Sequence, residues 1–334
     1  MAGNVQVRLK ARPAGWVKES DFEIVDADRP VAGSGQLLLK NLWLSLDPYM
    51  RGRMDDAKSY AASVALGDVM VGGTISVVQA SNHPGFKPGQ HVVGHLGWQQ
   101  YAVSDGAGLR VVEGGRIPLQ AYLGAVGMPG VTAWYGLTQI GKPKAGETVV
   151  VSAASGAVGS VVGQIAKMHG CRAVGIAGGR EKCDFVTGEL GFDACVDYKG
   201  DDLFGALKAA TPGGIDVYFD NVGGVVLDTV LRRLNAFARI PLCGLISGYN
   251  ATEQYGLKNI RSLLVNRAAI QGFIVSDHLD RWPEALKDLA GWVAEGRVRY
   301  RESVAHGIES APKAFIGMLR GENFGKQLVK IQEA

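Results

Sequence analysis

The chain has only 4 cysteines among its 334 residues, and the part before Cys171 contains none. No Cys-x-x-Cys pair occurs, which excludes the spacing typical of a zinc ribbon or a thioredoxin-like redox centre. The four cysteines, at positions 171, 183, 195 and 243, lie in predicted strands or helices, where we expect buried reduced thiols. Reduced thiols are typical of the cytoplasm, which is the compartment that we predict.

Concentrated charge is also lacking. The chain has 35 Lys and Arg residues against 32 Asp and Glu, a formal net charge of +3, and the basic residues form no block. A nucleic acid or an anionic membrane is therefore not an indicated partner, whereas small anions are. The N-terminus has no basic region followed by an apolar one, so we predict no secretory signal. A content of 47% hydrophobic and 20% charged residues is typical of a soluble globular protein.

A stretch without formal charge, from Thr148 to Ala166, is not a membrane span, because its serines and glycines make it too polar and too broken. It begins with uncharged β-branched residues, which suit a strand covered on both faces. Gly156 and Gly159 then leave room for a close pyrophosphate, and a helix beginning near Val158 places its positive dipole end beside that anion. The pattern is Ala-x-x-Gly-x-x-Gly, a dinucleotide-binding turn with Ala153 where the commoner fingerprint has its first glycine.

A glycine pattern alone is weak evidence, but the following residues complete the βαβ unit that it requires. Apolar residues at helical spacing over 161–166 predict a helix, and Cys171 to Ala177 is typical of a second buried strand. The whole unit is about thirty residues long, which is the context expected for such a turn.

Two domains are predicted from the change of pattern along the chain. Residues 1–124 contain short β-like runs separated by Pro and Gly, which favours a compact antiparallel barrel or sandwich. Over 125–299 strands alternate with helices, and six strands predict an α/β fold with a doubly wound parallel sheet. These strands are 148–152, 172–177, 194–198, 215–220, 238–243 and 269–275. We expect residues 300–334, with a helix near 310–320 and a strand near 326–331, to complete the first domain.

The residues after the second strand of the βαβ unit indicate NADPH rather than NADH. In NAD-binding proteins an acidic residue about twenty positions beyond the turn takes the ribose hydroxyls, whereas a basic residue accommodates a 2′-phosphate. Here the sequence is Ala177-Gly178-Gly179-Arg180-Glu181-Lys182, with no acid at the strand end and two cations after it. Arg180 and Lys182 could equally be exposed residues at a helix start, and Glu181 leaves the local charge ambiguous.

No metal site is predicted. Dehydrogenases with this domain order hold a catalytic zinc through Cys and His ligands, and the first domain here has no cysteine. Its His91 and His95 share a face of one predicted strand, and His83 lies in a turn, but a third ligand is lacking nearby. A surface or core role is favoured for these histidines. Hydride transfer without zinc would need another group to stabilise charge on the substrate oxygen.

Six motifs follow one another along nearly the whole chain. They are Leu46-Asp47-Pro48-Tyr49-Met50-Arg51-Gly52-Arg53-Met54, Gly127-Met128-Pro129-Gly130, Ala154-Ser155-Gly156-Ala157-Val158-Gly159, Phe219-Asp220-Asn221-Val222-Gly223-Gly224, Cys243-Gly244-Leu245-Ile246-Ser247-Gly248-Tyr249-Asn250 and Gly321-Glu322-Asn323-Phe324-Gly325-Lys326. Together they resemble the zinc-independent medium-chain dehydrogenase/reductases. More narrowly they resemble the leukotriene and prostaglandin reductase branch, which includes alkenal double-bond reductases and curcumin reductases.

The resemblance implies a GroES-like β-barrel joined to a Rossmann domain, NADPH as the cofactor and a homodimer. It also implies a set of cofactor-binding residues. The pyrophosphate would lie on Gly156, Ala157, Val158 and Gly159, and the 2′-phosphate would lie between Lys182 and Tyr198. The rest of the cofactor would lie near Asn221 and Asn323 and along the main chain of Phe273, Ile274 and Val275. Beside it would be a wall that includes Cys243, Gly244 and Ser247.

The reaction implied is reduction of a carbon–carbon double bond conjugated to a ketone or aldehyde. Hydride adds to the β-carbon, negative charge develops on the carbonyl oxygen as an enolate, and a proton reaches the α-carbon. A well-aimed hydroxyl can stabilise that oxygen. The residues alone favour ordinary half-buried tyrosines at positions 49 and 249. With the motifs matched, we expect Tyr249 to be the enolate donor and Tyr49 a second donor or a substrate-positioning group, since each follows a turn-forming residue.

Two other functions remain open from the sequence. One is an NADPH:quinone reductase on the same fold, against which the Asp-Pro-Tyr-Met-Arg string argues. The other is a non-catalytic NADPH-binding sensor, a protein that has kept the fold and lost turnover. The expected partner is a small enone or enal, and curcumin-like dienones, alkenals and oxo-lipids are all compatible with the motifs.

Overall fold

The structure is a computed structural model that describes residues 3–333. Within them the strands are β1 (Asn4–Leu9), β2 (Phe22–Ala27), β3 (Leu37–Ser45), β4 (Thr74–Ser81), β5 (His91–Gly94), β6 (Tyr101–Ser104), β7 (Arg110–Val112), β8 (Thr148–Ser152), β9 (Arg172–Ala177), β10 (Ala194–Asp197), β11 (Ile215–Phe219), β12 (Leu234–Leu242), β13 (Ala269–Gly272), β14 (Glu302–His306) and β15 (Lys326–Lys330). The α-helices are α1 (Met50–Arg53), α2 (Met128–Tyr135), α3 (Gly159–Met168), α4 (Arg180–Gly188), α5 (Leu203–Ala210), α6 (Gly224–Leu231), α7 (Arg261–Asn266), α8 (Trp282–Ala294) and α9 (Ala311–Leu319).

Contacts between residues divide the chain into two compact units. The second unit runs from Ala125 to Arg301. The first consists of the chain up to Gly124 together with the segment from Glu302 onwards. Among the residues that the structure describes, no helix combines the length and the apolar character needed to cross a membrane.

The sheet of the second unit has the strand order β10-β9-β8-β11-β12-β13, and every neighbouring pair is parallel. Numbered along the unit, this order is 3-2-1-4-5-6, the order of the doubly wound dinucleotide-binding fold. The Rossmann sheet expected from the sequence is therefore confirmed. The strand order reverses between β8 and β11, and this reversal is the point at which such sheets bind their ligands.

β8 is the centre of this sheet because it is apolar on both faces. All five of its residues are buried. Helix α3 covers one face with Val161, Val162, Ile165 and Ala166, none of which has exposed surface. These side chains recur at helical spacing, so they form one apolar stripe that packs against the sheet. The sequence predicted both elements, because β8 is a continuous apolar run and the apolar residues of α3 recur at helical spacing.

The turn between β8 and α3 depends on a missing side chain. A Cβ atom at Gly159 would lie 2.3 Å from the carbonyl oxygen of Ala153, so the first turn of the helix can approach the strand end only as glycine. Ala153 itself has φ of 51°, in the left-handed region. That conformation costs an alanine about 1 kcal/mol, which explains why the commoner fingerprint has glycine there.

The main sheet of the first unit has the order β14-β15-β3-β4-β5-β7, and β6 also pairs with β3. Its pairs are antiparallel apart from β14 with β15, while β1 and β2 form a separate antiparallel ribbon. The β-rich GroES-like domain expected from the sequence is confirmed. The sequence did not predict β14, because its residues are half exposed and mostly polar.

In place of the one predicted strand that carries His91 and His95, the structure has two strands, β5 and β6, joined by a loop. Trp98 in this loop is fully buried, and its backbone bonds to Val7 and Met70 at 2.9 and 2.8 Å. The apolar character of this loop therefore reflects burial of Trp98 in the core and not membership of a continuous strand. His95 falls outside β5, so the prediction that it shares a strand face with His91 was wrong.

The C-terminal segment contributes to the core of the first unit. Phe315 of α9 packs edge-on against Trp98, with ring centroids 5.6 Å apart, and Phe22 stacks on the same Trp98 at 5.5 Å. Aromatic pairs in these geometries add to the free energy gained from burial alone. β15 also pairs with β3, so residues 328–330 lie beside residues 43–45.

Candidate active site

The predicted cofactor residues of the second unit lie at one edge of its sheet, where the carboxyl ends of the parallel strands meet. After β8 come Gly156, Ala157, Val158 and Gly159, and after β9 comes Lys182, in the first turn of α4. Tyr198 follows β10 and Asn221 follows β11. After β12 come Cys243, Gly244, Ser247 and Tyr249, and after β13 come Phe273, Ile274 and Val275. The fold therefore brings this set together at the edge where dinucleotides bind. Tyr49 and Asn323 belong to the first unit.

Backbone donors are available at the glycine turn. Within the described part of the chain, the N–H groups of Ala157 and Val158 donate to no protein acceptor, while Gly156 donates back to Ala153. α3 begins at Gly159, whose N–H also donates to no protein acceptor in the described part of the chain, whereas the next three N–H groups bond back to Gly156 and Val158. Free N–H groups at the positive end of a helix suit a pyrophosphate, so these residues fit the anion that the sequence predicts.

The ends of β9 and β10 are tied together beside the predicted 2′-phosphate residues. Asp197 accepts hydrogen bonds from the N–H groups of Gly179 and Lys199 at 2.8 and 3.0 Å, and these bonds lower the pKa of its carboxyl. A Cβ atom at Gly178 would lie 2.8 Å from the ring of Tyr198. The absence of a side chain at Gly178 therefore lets the tyrosine lie against the strand end.

Two lysines interact electrostatically at this place. Burial lowers the pKa of Lys182, and the positive charge of Lys199 lowers it further, with Glu181 opposing the shift. A doubly charged anion beside these two ammonium groups would favour their charged forms, so the pair fits the 2′-phosphate that the sequence predicts. Sequence analysis missed Lys199, although a cation directly after a predicted strand end was a usable signal. The Arg180 side chain is 93% exposed, and its Nε atom lies 3.6 Å from Oδ2 of Asp184. This favours the interpretation of Arg180 as an exposed residue at the start of a helix.

A buried carboxylate organises the turn after β11. Four groups donate to Oδ1 of Asp220: the hydroxyls of Tyr218 and Ser152 at 2.8 and 3.1 Å, and the N–H groups of Val222 and Gly223 at 2.9 and 3.0 Å. Asp220 has no exposed surface, and its Oδ2 has no partner among the described residues. Burial raises the pKa of this carboxyl despite the four donors.

Asn221 is fixed across the reversal point by the same cluster. Its side-chain amide donates to the carbonyl oxygen of Ser152 at 2.8 Å, and its backbone N–H donates to the Ser152 hydroxyl at 2.9 Å. Ser152 ends β8, so these bonds tie the turn after β11 to the neighbouring strand. The sequence predicted Asn221 through its motif and gave no sign of the cluster that holds it.

Tyr249 follows a short turn of 3-10 helix, Ile246–Gly248, after β12. Its hydroxyl oxygen accepts the N–H of Leu245 at 3.3 Å, and a Cβ atom at Gly244 would be 3.3 Å from the same oxygen. The phenol is therefore held over the main chain of the turn. A phenol that accepts one hydrogen bond can also donate one.

The wall beside Tyr249 is uncharged. Burial and the nearby Asp220 raise the pKa of the Cys243 thiol to about 12, so this cysteine stays protonated and is not a nucleophile. The Ser247 hydroxyl donates to the carbonyl oxygen of Val222 at 2.6 Å and thereby joins the turn after β12 to the turn after β11.

In the first unit, Tyr49 lies at the start of α1. Burial and the charge of Asp47 raise its pKa, and the cation of Arg53 opposes that shift. The phenol thus keeps its proton at neutral pH. The Arg53 guanidinium lies 5.6 Å from the Tyr49 ring centroid and 4.5 Å from that of Tyr60. Asn323 donates its amide to the carbonyl oxygen of Gly325 at 2.8 Å, which fixes the loop before β15.

Comparison with known proteins finds similar oxidoreductases. A model described as the N-terminal domain of oxidoreductase matches residues 5–112, and one described as zinc-binding dehydrogenase matches residues 157–291. The NADPH-dependent curcumin reductase of Escherichia coli is 48% identical over 97% of this chain and 95% of its own. The NADP⁺-dependent 2-alkenal reductase of Nicotiana tabacum is 44% identical over 98% and 97%. The crystal structure of CurA from Vibrio vulnificus in complex with NADPH has 49% identity and a TM-score of 0.94, covering 99% of this chain and 100% of that one.

The chain belongs to the medium-chain dehydrogenase/reductases. Within this family it lies in the branch of NADP-dependent oxidoreductases that contains the curcumin and alkenal reductases, as its motifs indicated. The description of the second matching model names zinc. Among residues 3–333, no group of three or more His, Cys, Asp or Glu side chains could hold a metal ion. That this member of the family works without zinc stays a prediction, which metal analysis of the purified protein would test.

The Asp220 cluster gives a prediction about stability. Asp220→Ala leaves four donors without their acceptor, so the free energy of unfolding should fall by about 3 kcal/mol. Asp220→Asn keeps the Oδ1 acceptor and removes a buried charge, so it should lose less than about half as much. Because the pKa of Asp220 is raised in the fold, the stability of the wild type relative to Asp220→Asn should increase as the pH falls.

Urea denaturation at several pH values measures these differences, with the exposed Asp201→Ala as the matched control. Equal losses for Asp220→Ala and Asp220→Asn would show that the hydrogen bonds to Oδ1 do not stabilise the turn.

Proposed function

We propose that this enzyme uses NADPH to reduce the carbon–carbon double bond of α,β-unsaturated ketones and aldehydes. The observation that carries the proposal is that one sheet edge holds free backbone donors for a pyrophosphate, two lysines for a 2′-phosphate and the phenol of Tyr249. The names of relatives identical at 48% and 44%, a curcumin reductase and an alkenal reductase, support the same reaction.

When bound, NADPH supplies the hydride. The chain's own residues bind and orient it: the N–H groups of Ala157 and Val158 hold the pyrophosphate, and the ammonium groups of Lys182 and Lys199 pair with the 2′-phosphate. Asn221, fixed by Ser152, lies beside the cofactor. The main chain after β13, at Phe273, Ile274 and Val275, would line the nicotinamide.

Tyr249 donates a hydrogen bond to the carbonyl oxygen of the substrate, where negative charge develops as the enolate forms. A donor that is already oriented by Leu245 needs little reorganisation when that charge appears, which is the source of its catalytic effect. Tyr49 supplies a second donor or holds the substrate in place, since burial keeps its proton at neutral pH.

Tyr249→Phe should lower kcat for an enone by about ten- to a hundredfold, because it removes a hydrogen bond that strengthens in the transition state. The affinity for NADPH, measured by quenching of protein fluorescence, should stay within about twofold. Tyr255→Phe is the matched control, since the Tyr255 hydroxyl is bound to Asp228 at 3.2 Å and has no proposed role. Unchanged turnover in Tyr249→Phe would remove this phenol from the mechanism.

Lys182→Ala and Lys199→Ala should each raise the KM for NADPH by about ten- to a hundredfold, since each removes a charge-assisted bond to the 2′-phosphate. The KM for NADH should change little, because NADH has no phosphate at this position. Arg180→Ala serves as the control, as Arg180 is exposed and next to Asp184. An equal loss with both nucleotides would contradict the assignment of the two lysines.

A screen of NADPH oxidation over enones, alkenals and quinones separates the proposed reaction from its rivals, because a saturated ketone and a hydroquinone are chemically distinct products. Curcumin-like dienones and oxo-lipids belong in the same screen. Tight NADPH binding with background oxidation of every compound would favour a sensor over an enzyme.

We further propose that the enzyme is a cytoplasmic homodimer that pairs along β13. This strand is the edge of its sheet, and the N–H of Phe273 points to Leu242, so alternate N–H groups of β13 point away from β12. Exposed apolar side chains flank it in the chain, among them Leu264 and Leu279. The backbone groups of such an edge strand can pair with the same strand of a second copy of the chain, related by a twofold axis.

Sedimentation should give twice the mass of one 35.4 kDa chain. Placing like charges on the edge with Ala269→Glu and Gln271→Glu should shift the protein to monomers, because pairing along this edge brings the like charges of the two copies close together. Val31→Glu, at an exposed position of the first unit, should leave the mass unchanged. A dimer that persists in the doubly charged variant would place the interface elsewhere.

A further inference from the structure

A buried ion pair joins the two motifs of the first unit that carry predicted site residues. Lys326 is 3% exposed and Asp47 is 5% exposed, and their Nζ and Oδ1 atoms are 2.6 Å apart. Lys326 also donates to the carbonyl oxygen of Leu46 at 2.7 Å, and the Ser45 hydroxyl donates to the other carboxylate oxygen of Asp47. Both oxygens of the carboxylate are therefore held.

A buried ion pair of this kind adds little to the free energy of unfolding. Removing two charges from water costs free energy that their attraction repays only in part, and apolar residues of similar size often stabilise a protein as well or better. What a buried pair does supply is a fixed geometry for the chain on either side of it. The role of this pair therefore depends on which neighbouring side chains that geometry fixes.

On the side of Asp47, the dependent group is Tyr49. The carbonyl oxygen of Asp47 accepts the N–H of Met50 at 3.1 Å, and that of Tyr49 accepts the N–H of Gly52 at 3.0 Å, so residues 47–49 form the turn that leads into α1. α1 has four residues and is far too short to be stable by itself. The position of the Tyr49 phenol therefore depends on the contacts that hold this turn, and the anchor of Asp47 is one of them.

On the side of Lys326, the pair is anchored in the sheet. Lys326 is the first residue of β15, and its register partner on β14 is Glu302. Oε1 of Glu302 is buried without a partner among the described residues, and burial raises the pKa of this carboxyl. Lys326 thus lies between two carboxylates and bonds to the one that precedes Tyr49.

We propose that Lys326 is a positioning residue for Tyr49, acting through Asp47. The ammonium group holds the carboxylate from the sheet side and so fixes where the phenol is presented to the substrate. This inference rests on the role proposed above for Tyr49 in the reduction of enones.

The test is a double-mutant cycle on kcat. Lys326→Met alone leaves a buried charge, so the variant used is Asp47→Asn with Lys326→Met, a neutral pair that should fold with nearly unchanged thermal stability. We expect Tyr49→Phe to lower kcat about tenfold, and the neutral pair to lower it by a similar factor with the NADPH affinity unchanged. Adding Tyr49→Phe to the neutral pair should cost less than a further twofold, because both changes remove the same interaction.

Losses that multiply in the combined variant, or full activity of the neutral pair, would overturn the role of Lys326 while leaving that of Tyr49 intact. Full activity of Tyr49→Phe would refute the role of the phenol and, with it, the functional meaning of the pair. Lys330→Met is the matched control, since Lys330 is on the same strand and pairs with Glu333 at 2.6 Å. A crystal structure of the neutral pair gives a second readout that is independent of the substrate: the Tyr49 ring should be displaced, and an unmoved ring would overturn the proposal.

Discussion

The close contact between Gly159 and the carbonyl oxygen of Ala153 is the constraint on which the cofactor edge depends. With no Cβ at Gly159, the first turn of α3 comes within a distance of β8 that any side chain would forbid. The same contact directs the N–H groups of Ala157 and Val158 outward at the positive end of the helix. Because β8 is central in its sheet, its neighbours β9 and β11 end at the same edge and add their own residues to the site.

Each unit contains a buried aspartate that fixes a turn bearing predicted site residues. Asp220 does so with four neutral donors, which hold the turn after β11, whereas Asp47 does so with the ammonium of Lys326 beneath α1. A carboxylate can accept several hydrogen bonds from different directions, so one side chain can define a whole turn. Burial makes the arrangement costly, and the cost is tolerable only while every donor stays in place.

The sequence predicted the second unit well because strands covered on both faces are continuous apolar runs, as in β8 and β9. It predicted the first unit less well because long-range packing decides there: Trp98 is buried in a loop by contacts with Val7 and Met70, and β14 exists through its pairing with β15. The cofactor turn followed from its pattern, while the roles of Tyr49, Asn221 and Tyr249 came from the resemblance to a family. Lys199, Asp220 and Lys326 were not assigned roles. For Lys326 the reason is that its partner, Asp47, is 279 residues away in sequence, and for Asp220 it is that burial of the carboxylate became visible only in the fold.

Charge is divided along the sheet edge in a way that suits hydride transfer. At the ends of β9 and β10, Lys182 and Lys199 repel one another, and an anion would relieve that repulsion. At the ends of β11 and β12 there is no such concentration of positive charge, and burial raises the pKa of both Asp220 and Cys243, which disfavours the charged form of each. Positive charge thus collects where a nucleotide phosphate would bind. Where negative charge would develop on the substrate, the chain instead presents an uncharged phenol oriented by its own main chain. In the proposed reaction a hydrogen bond from this phenol would stabilise the enolate, without a fixed ion that would equally favour other anions.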